Sequence, residues 1–296
     1  MEGILVVDKP AGMSSHDVVA RVRRLARTKK VGHAGTLDPL ATGVLVLALG
    51  SATRLLEYLT NHDKQYLATV VLCVTTSTYD AEGEETSRYD GALPGRSAVE
   101  GRLDAFRGEI SQVPPIYSAI KQEGEALYAK ARRGEVVSVP PRLVTIYALD
   151  LLDYQPPRLE LRVRCSKGTY IRSLAHDLGQ ALGTGAFLQA LRREASGPFT
   201  LDQAQTLATL EQTAANGGGQ HPSLPDLLLP PGTGLDGLPV VPVTPDQARA
   251  LAHGRVIDAP RATSGAIGRA LLDGHLVAFV EYDAPLAAWR PRKVLG

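Results

Sequence analysis

The segment at residues 32–43, with the sequence GHAGTLDPLATG, holds one carboxylate in a tight, glycine-rich loop. Pro39 disfavours the helical region for Asp38 and moves its backbone toward an extended conformation. The apolar run at residues 44–49 follows at once and predicts a buried strand beside the loop. A carboxylate held in this way can act as a nucleophile or a general base. The alternative is a turn in which Asp38 only accepts hydrogen bonds from nearby amides.

An ionised carboxylate in a buried site needs a cationic partner, because burial favours its protonated form. Arg172, in the segment KGTYIR, is the candidate for that partner, and the alternative is an arginine on a helix surface. Tyr66 and Tyr170 lie at the edges of predicted strands, where either ring could stack on a planar base. His33 could do the same. The alternatives are core tyrosines with the hydroxyl at the rim, and a loop histidine without a ligand.

A basic helix precedes the Asp38 loop. Ser14 or Ser15 is a plausible N-cap for a helix over about residues 17–27, whose apolar positions recur at helical spacing. Six cations lie within ten residues, on the opposite face of this helix and directly after its end: Arg21, Arg23, Arg24, Arg27, Lys29 and Lys30. Their position directly before the candidate catalytic loop favours contact with phosphates over an ordinary solvated helix face.

Composition excludes several classes of protein. The chain has 296 residues, of which 44% are hydrophobic, and a formal net charge of +1, which argues against a histone-like polycation. Cys73 and Cys165 have no CxxC spacing, and the seven histidines form no ligand motif, so we predict no disulfide framework and no metal. No Walker motif or GxSxG elbow occurs in a credible context. The N-terminus has neither a basic n-region nor a long apolar run, which predicts a soluble cytoplasmic protein.

The element pattern predicts an α+β fold with a mainly antiparallel sheet, because strands and helices mix without regular βαβ alternation. Composition changes after about residue 213, where glycines and prolines at residues 217–231 indicate a linker or a loosely packed excursion. The pattern over residues 239–296 predicts a second, β-barrel-like module. It includes a helix that Thr244 caps and Gly254 ends.

Several motifs in order resemble the TruB family of tRNA pseudouridine synthases, of bacterial type. They are DKPAGMSS at residues 8–15, GHAGTLDPLATGVL at 32–45, DKQY at 63–66, PPIYSAIKQEGEALYAKARRG at 114–134, CSKGTYIRSLAHDLG at 165–179 and LRR at 191–193. The resemblance covers roughly residues 3–200 and consists of long motifs, so chance agreement is not a serious competitor.

The resemblance implies that the enzyme isomerises uridine 55, in the T-loop of tRNA, to pseudouridine, without a cofactor, guide RNA or obligatory protein partner. It implies the pseudouridine synthase fold over residues 1–235, an insertion at 112–142 that closes over the RNA, and a PUA-like RNA-binding module at 239–296. By position, Asp38 resembles the catalytic aspartate and Arg172 its partner. The family's substrate-binding positions fall on His33, Tyr66, Tyr170 and Leu191.

Two alternatives stay open at this point. The chain could be an RNA-binding protein that mainly refolds tRNA as a chaperone, and both roles could coexist. It could also be the guide-RNA-dependent relative of archaea and eukaryotes, which the compact chain without long basic tails disfavours. We expect a monomer that binds the T-arm of tRNA.

Overall fold

The computed structural model describes residues 1–115, 121–122, 125–126, 139–216 and 223–295. The helices are α1 (Ser15–Leu25), α2 (Leu56–Leu59), α3 (Arg96–Leu103), α4 (Ile171–Ala181), α5 (Leu207–Asn216) and α6 (Pro245–Ala252). The first strands are β1 (Gly3–Lys9), β2 (Val31–His33), β3 (Thr42–Leu49), β4 (Lys64–Leu72), β5 (Val74–Thr76), β6 (Glu85–Arg88), β7 (Gly108–Gln112), β8 (Lys121–Gln122) and β9 (Glu125–Ala126). The later strands are β10 (Arg142–Gln155), β11 (Arg158–Cys165), β12 (Ala186–Ser196), β13 (Phe199–Thr200), β14 (Gln205–Thr206), β15 (Val240–Pro242), β16 (Ile267–Leu272), β17 (His275–Asp283) and β18 (Ala288–Val294).

A large mixed sheet forms the main body, with the strand order β14-β1-β3-β12-β4-β11-β10-β7. Strand β2 adds to β3, and β13 adds to β12. Neighbouring strands pair antiparallel throughout the described sheet, apart from β1 with β14 and β3 with β12, which are parallel. The α+β class and the mainly antiparallel sheet predicted from the sequence are therefore confirmed.

Strands β1 and β3 are buried on both faces, which explains their nearly continuous apolar sequences. In β1, Leu5 and Val7 join the core beneath the helices, whereas Ile4 and Val6 point into a second cluster on the opposite face. This division follows from the alternation of side chains along a strand. The Asp38 loop enters β3 directly, so a rigid, doubly covered strand supports it.

Helix α1 packs an apolar stripe on this sheet and turns its basic face outward. A capping box begins the helix: the Ser14 hydroxyl accepts from the Asp17 amide at 3.1 Å, and Asp17 accepts from the Ser14 amide at 2.9 Å. Val18, Val19 and Val22 are buried on the inner side. The predicted helix and its buried stripe are present, with Ser14 as the cap.

The C-terminal module contains a four-stranded sheet in the order β15-β16-β17-β18, together with α6. It rests on the main body through aromatic stacking of Tyr58 on Phe279, whose ring centroids lie 4.5 Å apart. Lys293 also pairs with Glu57 at 2.7 Å. The division of the chain into 1–235 and 239–296, and RNA binding by the second part, stay predictions.

The expected linker is not loosely packed where the structure describes it. Ile4 and Leu229 exchange two backbone hydrogen bonds, of 2.9 and 2.8 Å, and Leu224 and Leu235 are buried. The prolines and glycines suggested a flexible excursion, but the leucines between them bury enough apolar surface to fix this stretch on the sheet. Residues 217–222 lie outside the described residues.

The predicted insertion at residues 112–142 falls between β7 and β10, and most of it lies outside the described residues. Its described part includes the short antiparallel pair β8 and β9. No helix in the described ranges is both long and apolar enough to cross a membrane.

Candidate active site

The Asp38 loop is tied to its surroundings through its backbone. The buried Ser15 hydroxyl accepts from the Leu37 amide at 2.8 Å and donates to the Leu37 carbonyl at 3.0 Å. On the other side of Asp38, the Pro39 carbonyl accepts from the Gly12 amide at 2.9 Å. The residues on both sides of Asp38 are therefore fixed, which holds the carboxylate in place before any substrate arrives.

Arg193 fastens the same loop from the sheet. Its side chain, only 1% exposed, donates to the carbonyls of Val44 at 2.6 Å, Gly35 at 3.2 Å and Thr36 at 3.4 Å. Gly43 permits this approach, since a Cβ there would lie 2.2 Å from the Arg193 carbonyl oxygen and its φ is +98°. The guanidinium thus replaces hydrogen bonds that the irregular loop cannot make within itself.

Lys9 supports the loop from the end of β1. Its fully buried ammonium donates to the carbonyls of Met13 at 2.6 Å, Pro10 at 2.9 Å and Pro39 at 3.3 Å. Burial lowers the pKa of Lys9 to about 8, and the nearby Asp38 carboxylate opposes that shift. Lys9 therefore adds positive charge close to Asp38 while its donors are occupied by the backbone.

A chain of three charged side chains runs inward from the Asp38 loop. Arg172 Nε lies 3.0 Å from Asp38 Oδ2, and Arg172 Nη1 lies 3.3 Å from Asp80 Oδ2. The side chain of Asp38 is 36% exposed, whereas those of Arg172 and Asp80 are 6% and 3% exposed. Arg172 is thus the cationic partner that the sequence predicted for Asp38, and a second carboxylate fixes it from behind.

Asp80 is anchored in the turn between β5 and β6. Its Oδ1 accepts from the Thr78 hydroxyl at 2.5 Å and from the Glu82 amide at 3.0 Å. Arg172 Nη1 also donates to the Thr78 carbonyl at 3.4 Å. The turn therefore offers Arg172 one carboxylate and one carbonyl, which orients the guanidinium toward Asp38.

The charges in this chain set the protonation of Asp38. Burial raises the pKa of its carboxyl, Arg172 and Lys9 lower it, and Asp80 raises it. Burial and the two aspartates also raise the pKa of Glu82, which lies near the same network. Arg172 is the largest of the influences that keep Asp38 ionised.

A cavity of about 290 Å³ opens beside the Asp38 carboxylate. Four of the predicted site residues line it together with Asp38: Tyr66, Tyr170, Arg172 and Leu191. Tyr66 lies on β4 and Leu191 on the adjacent β12, where sheet pairing places Leu191 opposite Ala68. Residues distant in sequence thus surround one opening that combines aromatic rings, an apolar side chain and a charged pair.

Tyr170 is held at the start of α4 by two contacts. Its amide donates to Gln112 Oε1 at 2.8 Å, and its carbonyl accepts from Gln112 Nε2 at 3.0 Å. The Arg142 guanidinium carbon lies 4.7 Å from the centroid of the Tyr170 ring, within the range of a cation–π contact. One face of the ring is therefore covered.

His33 is a predicted site residue that the structure places apart from the cavity lining. It lies on β2 and packs edge-to-face on His16, with ring centroids 5.2 Å apart. Burial, together with the nearby His16 and Arg193, lowers the pKa of His33 to about 4, so its ring is neutral at physiological pH.

The six basic residues also lie outside the cavity lining, and they differ in their contacts. Arg21 pairs with Glu211 at 2.9 Å, and Arg23 donates to the Val31 carbonyl at 2.8 Å. Arg21 is half-buried, and the other five are exposed: Arg23, Arg24, Arg27, Lys29 and Lys30.

Two family models together cover residues 23–236. The one described as TruB family pseudouridylate synthase (N terminal domain) matches residues 23–171, which is half of the chain. The chain belongs to the TruB family. The model of the tRNA pseudouridylate synthase B C-terminal domain matches residues 172–236. The protein is therefore a pseudouridine synthase, an isomerase, and the resemblance seen in the sequence is confirmed.

Curated bacterial relatives agree with this membership. tRNA pseudouridine synthase B of Pseudomonas aeruginosa (strain UCBPP-PA14) is 49% identical over 262 residues, which cover 88% of this chain and 85% of the relative. The protein of the same name from Dehalococcoides mccartyi (strain ATCC BAA-2100 / JCM 16839 / KCTC 5957 / BAV1) is 43% identical over 295 residues, covering 99% and 96%.

Solved structures share the TruB fold. A chain in the crystal structure of a Cbf5-Nop10-Gar1 complex is 28% identical, with a TM-score of 0.77 and coverage of 99% of this chain and 85% of that one. A chain in the structure of an H/ACA RNP bound to a substrate RNA containing 2′-deoxyuridine is 26% identical, with a TM-score of 0.76 and the same coverage. The similarity extends over both the main body and the C-terminal module.

Asp80 and Arg193 are parts of this TruB site that the sequence reasoning did not assign. Asp80 begins an acidic stretch, and spacing alone does not distinguish it from the exposed carboxylates that follow. For Arg193 the sequence held a usable signal: Arg192 precedes it, and because consecutive strand residues point to opposite faces, the two arginines cannot both face the same side of the sheet. Arg192 pairs with Asp8 at 2.8 Å near the surface, so Arg193 has to point inward.

Proposed function

We propose that this protein isomerises uridine 55 in the T-loop of tRNA to pseudouridine, with Asp38 as the catalytic group and without a cofactor or guide RNA. The observation that carries the proposal is the Asp38 carboxylate, paired with the buried Arg172 at the wall of a cavity lined by two tyrosines and a leucine. The names of the bacterial relatives support tRNA as the substrate.

The reaction requires little from the protein besides one carboxylate. The C1′–N1 bond of uridine breaks, the uracil turns, a C1′–C5 bond forms, and C5 loses a proton while N1 gains one, so atoms balance without an oxidant. Asp38 can serve as a nucleophile at C6 of the base or at C1′ of the sugar, or as a base toward the sugar. Each route needs the carboxylate ionised, which is the state that Arg172 favours.

The cavity side chains would hold the uracil after it leaves the loop. Extrusion of a nucleotide costs roughly a few kcal/mol, and stacking on an aromatic ring returns about 1–3 kcal/mol per base. Tyr66 and Tyr170 would supply that contact, and Leu191 would cover the apolar part of the ring. Burial raises the pKa of Tyr66, so its hydroxyl stays neutral near the base.

Surfaces outside the cavity would hold the rest of the tRNA. His33 is neutral and packs on His16 in the first turn of α1, where it would contact neighbouring T-loop bases. The exposed cations of residues 24–30 would contact backbone phosphates. We further propose that the protein acts in the cytoplasm and that it is a monomer. Light scattering of the purified protein tests the monomeric state.

Mass-spectrometric mapping of pseudouridine in unmodified tRNA transcripts tests the proposal. The purified protein alone should convert position 55, and Asp38→Asn should lower the single-turnover rate by about 10⁴-fold or more while tRNA binding persists. Asp104→Asn, a change at an exposed carboxylate, is the matched control and should keep the parent rate. A normal rate in Asp38→Asn would remove Asp38 from the mechanism, and conversion elsewhere would refute position 55.

A chaperone function is a second candidate, and the exposed cations near α1 favour it because they do not depend on Asp38. The Asp38→Asn protein should then still raise the fraction of correctly folded tRNA, measured by native gel electrophoresis of refolding transcripts. If the tRNA folds equally well with and without the Asp38→Asn protein, the chaperone function is contradicted, and the proposed isomerase function is not affected.

A further inference from the structure

An aromatic residue separates the two groups through which the turn between β5 and β6 contacts Arg172. Arg172 Nη1 binds the Thr78 carbonyl at 3.4 Å and the Asp80 carboxylate at 3.3 Å. Tyr79 lies between them in sequence, and its ring stacks on His176 with centroids 3.9 Å apart and planes 15° apart. This is a close, nearly parallel contact between the turn and α4.

The backbone of Tyr79 is strained. Its φ is +64°, in the left-handed region that bulky residues rarely adopt. The turn is held in this conformation by hydrogen bonds from the Tyr79 amide to the Thr76 carbonyl at 3.2 Å and from the Leu188 amide to the Tyr79 carbonyl at 2.9 Å. Such strain persists only where the surrounding contacts determine the conformation, and the stack on His176 is one of those contacts.

His176 and Arg172 act from the same side of α4. They are four residues apart, so their side chains lie one above the other on one face of the helix. That face therefore contacts the turn twice, once by charge through Arg172 and once by ring stacking through His176. Any rotation of the turn that moved Tyr79 off His176 would also move Asp80 relative to Arg172.

We propose that Tyr79 and His176 are positioning residues: their stack holds the strained turn so that Asp80 orients Arg172 against Asp38. The inference rests on the proposed function, in which Asp38 carries the reaction. Tyr79 is absent from the cavity lining, so it acts through Asp80 and not on the uracil.

Single-turnover pseudouridine formation at saturating tRNA tests the stack. Tyr79→Leu should slow the step by about tenfold, equivalent to about 1.4 kcal/mol in the barrier, with unchanged tRNA affinity. Tyr79→Phe keeps the ring and should restore the rate to within about twofold of the parent. Tyr89→Leu, at an exposed tyrosine farther along the same chain segment, is the control and should leave the rate unchanged.

A double-mutant cycle with Asp80→Asn separates positioning from general packing. If Tyr79 acts through Asp80, adding Tyr79→Leu to Asp80→Asn should cause little further loss, because coupled residues are not additive. Tyr79→Gly covers the case in which the leucine variant fails to fold, since glycine adopts φ +64° without strain and should show the same loss.

Three outcomes would overturn the inference: a fully additive cycle, a phenylalanine variant as slow as the leucine variant, or an unchanged rate in both Tyr79→Leu and Tyr79→Gly. Absence of pseudouridine with the unaltered protein would refute the proposed function instead.

Discussion

Two clusters of charge in this molecule differ in burial and in pairing. They are the Asp38–Arg172–Asp80 chain and the basic segment at residues 21–30. In the first, every group has a fixed partner, and the two inner members are almost completely buried. In the second, five of the six cations are exposed, and of their described side chains only those of Arg21 and Arg23 contact other parts of the fold.

The difference follows from the dielectric environment. A buried charge without a partner costs several kcal/mol, so the inner cluster works only in one geometry, and Arg172 and Asp80 shift the pKa of Asp38 in opposite directions. Exposed cations are solvated and screened by salt, so they act together and tolerate individual loss. The first cluster should therefore respond to single substitutions and to pH, and the second to combined substitutions and to salt.

Among the changes that test this comparison, removal of the central cation should have the largest effect. Arg172→Ala leaves Asp80 buried without its positive partner, and should lower the free energy of unfolding by about 3–5 kcal/mol and slow catalysis by at least about a hundredfold. Urea denaturation and single-turnover kinetics measure the two quantities. Arg96→Ala removes the exposed pair with Glu100 and should cost at most about 1 kcal/mol. Similar losses in the two variants would remove the distinction between the clusters.

A smaller effect is expected on the pH dependence. The rate should fall on acidification through the raised pKa of Asp38, because the protonated carboxyl is inactive. Asp80→Asn removes a negative charge that raises this pKa, so the acid limb of the single-turnover profile should move to lower pH even though the plateau rate falls. A shift to higher pH would show that a misplaced Arg172, which then lowers the pKa of Asp38 less, outweighs the removal of the Asp80 charge.

Single substitutions in the basic segment should have the smallest effect on tRNA binding, so several cations have to be replaced together. Combined replacement of Arg24, Arg27, Lys29 and Lys30 by glutamine should weaken tRNA binding and reduce the salt slope by about 0.7–0.9 per lost phosphate contact. Arg21→Gln should leave the slope nearly unchanged, because Arg21 is already paired with Glu211. An equal change in slope from Arg21→Gln alone would show that the ion pair opens on RNA binding.

Local features of the fold were predictable because they depend on neighbours in sequence. The helix after Ser14 follows from its capping box and apolar spacing, and β3 follows from an uninterrupted apolar run. The tight loop around Asp38 follows from its glycines and proline. The stretch at residues 217–231 shows the limit, because its composition predicts a linker, whereas in its described part Leu224 is buried and Leu229 hydrogen-bonds to Ile4 of the sheet.

The amino-acid sequence by itself determined the family, the candidate carboxylate and the types of residue around it, since these are written in contiguous motifs. Only the tertiary structure decided which groups meet: Asp80 behind Arg172, Arg193 beneath the Asp38 loop, and His33 against His16 outside the cavity lining. Those contacts depend on the order of strands in the sheet and on the face that each helix presents. The physical reason is that burying a charged side chain without a partner is costly, so each buried charge lies where it meets an opposite charge or a polar group. In this protein those partners lie far away in the sequence.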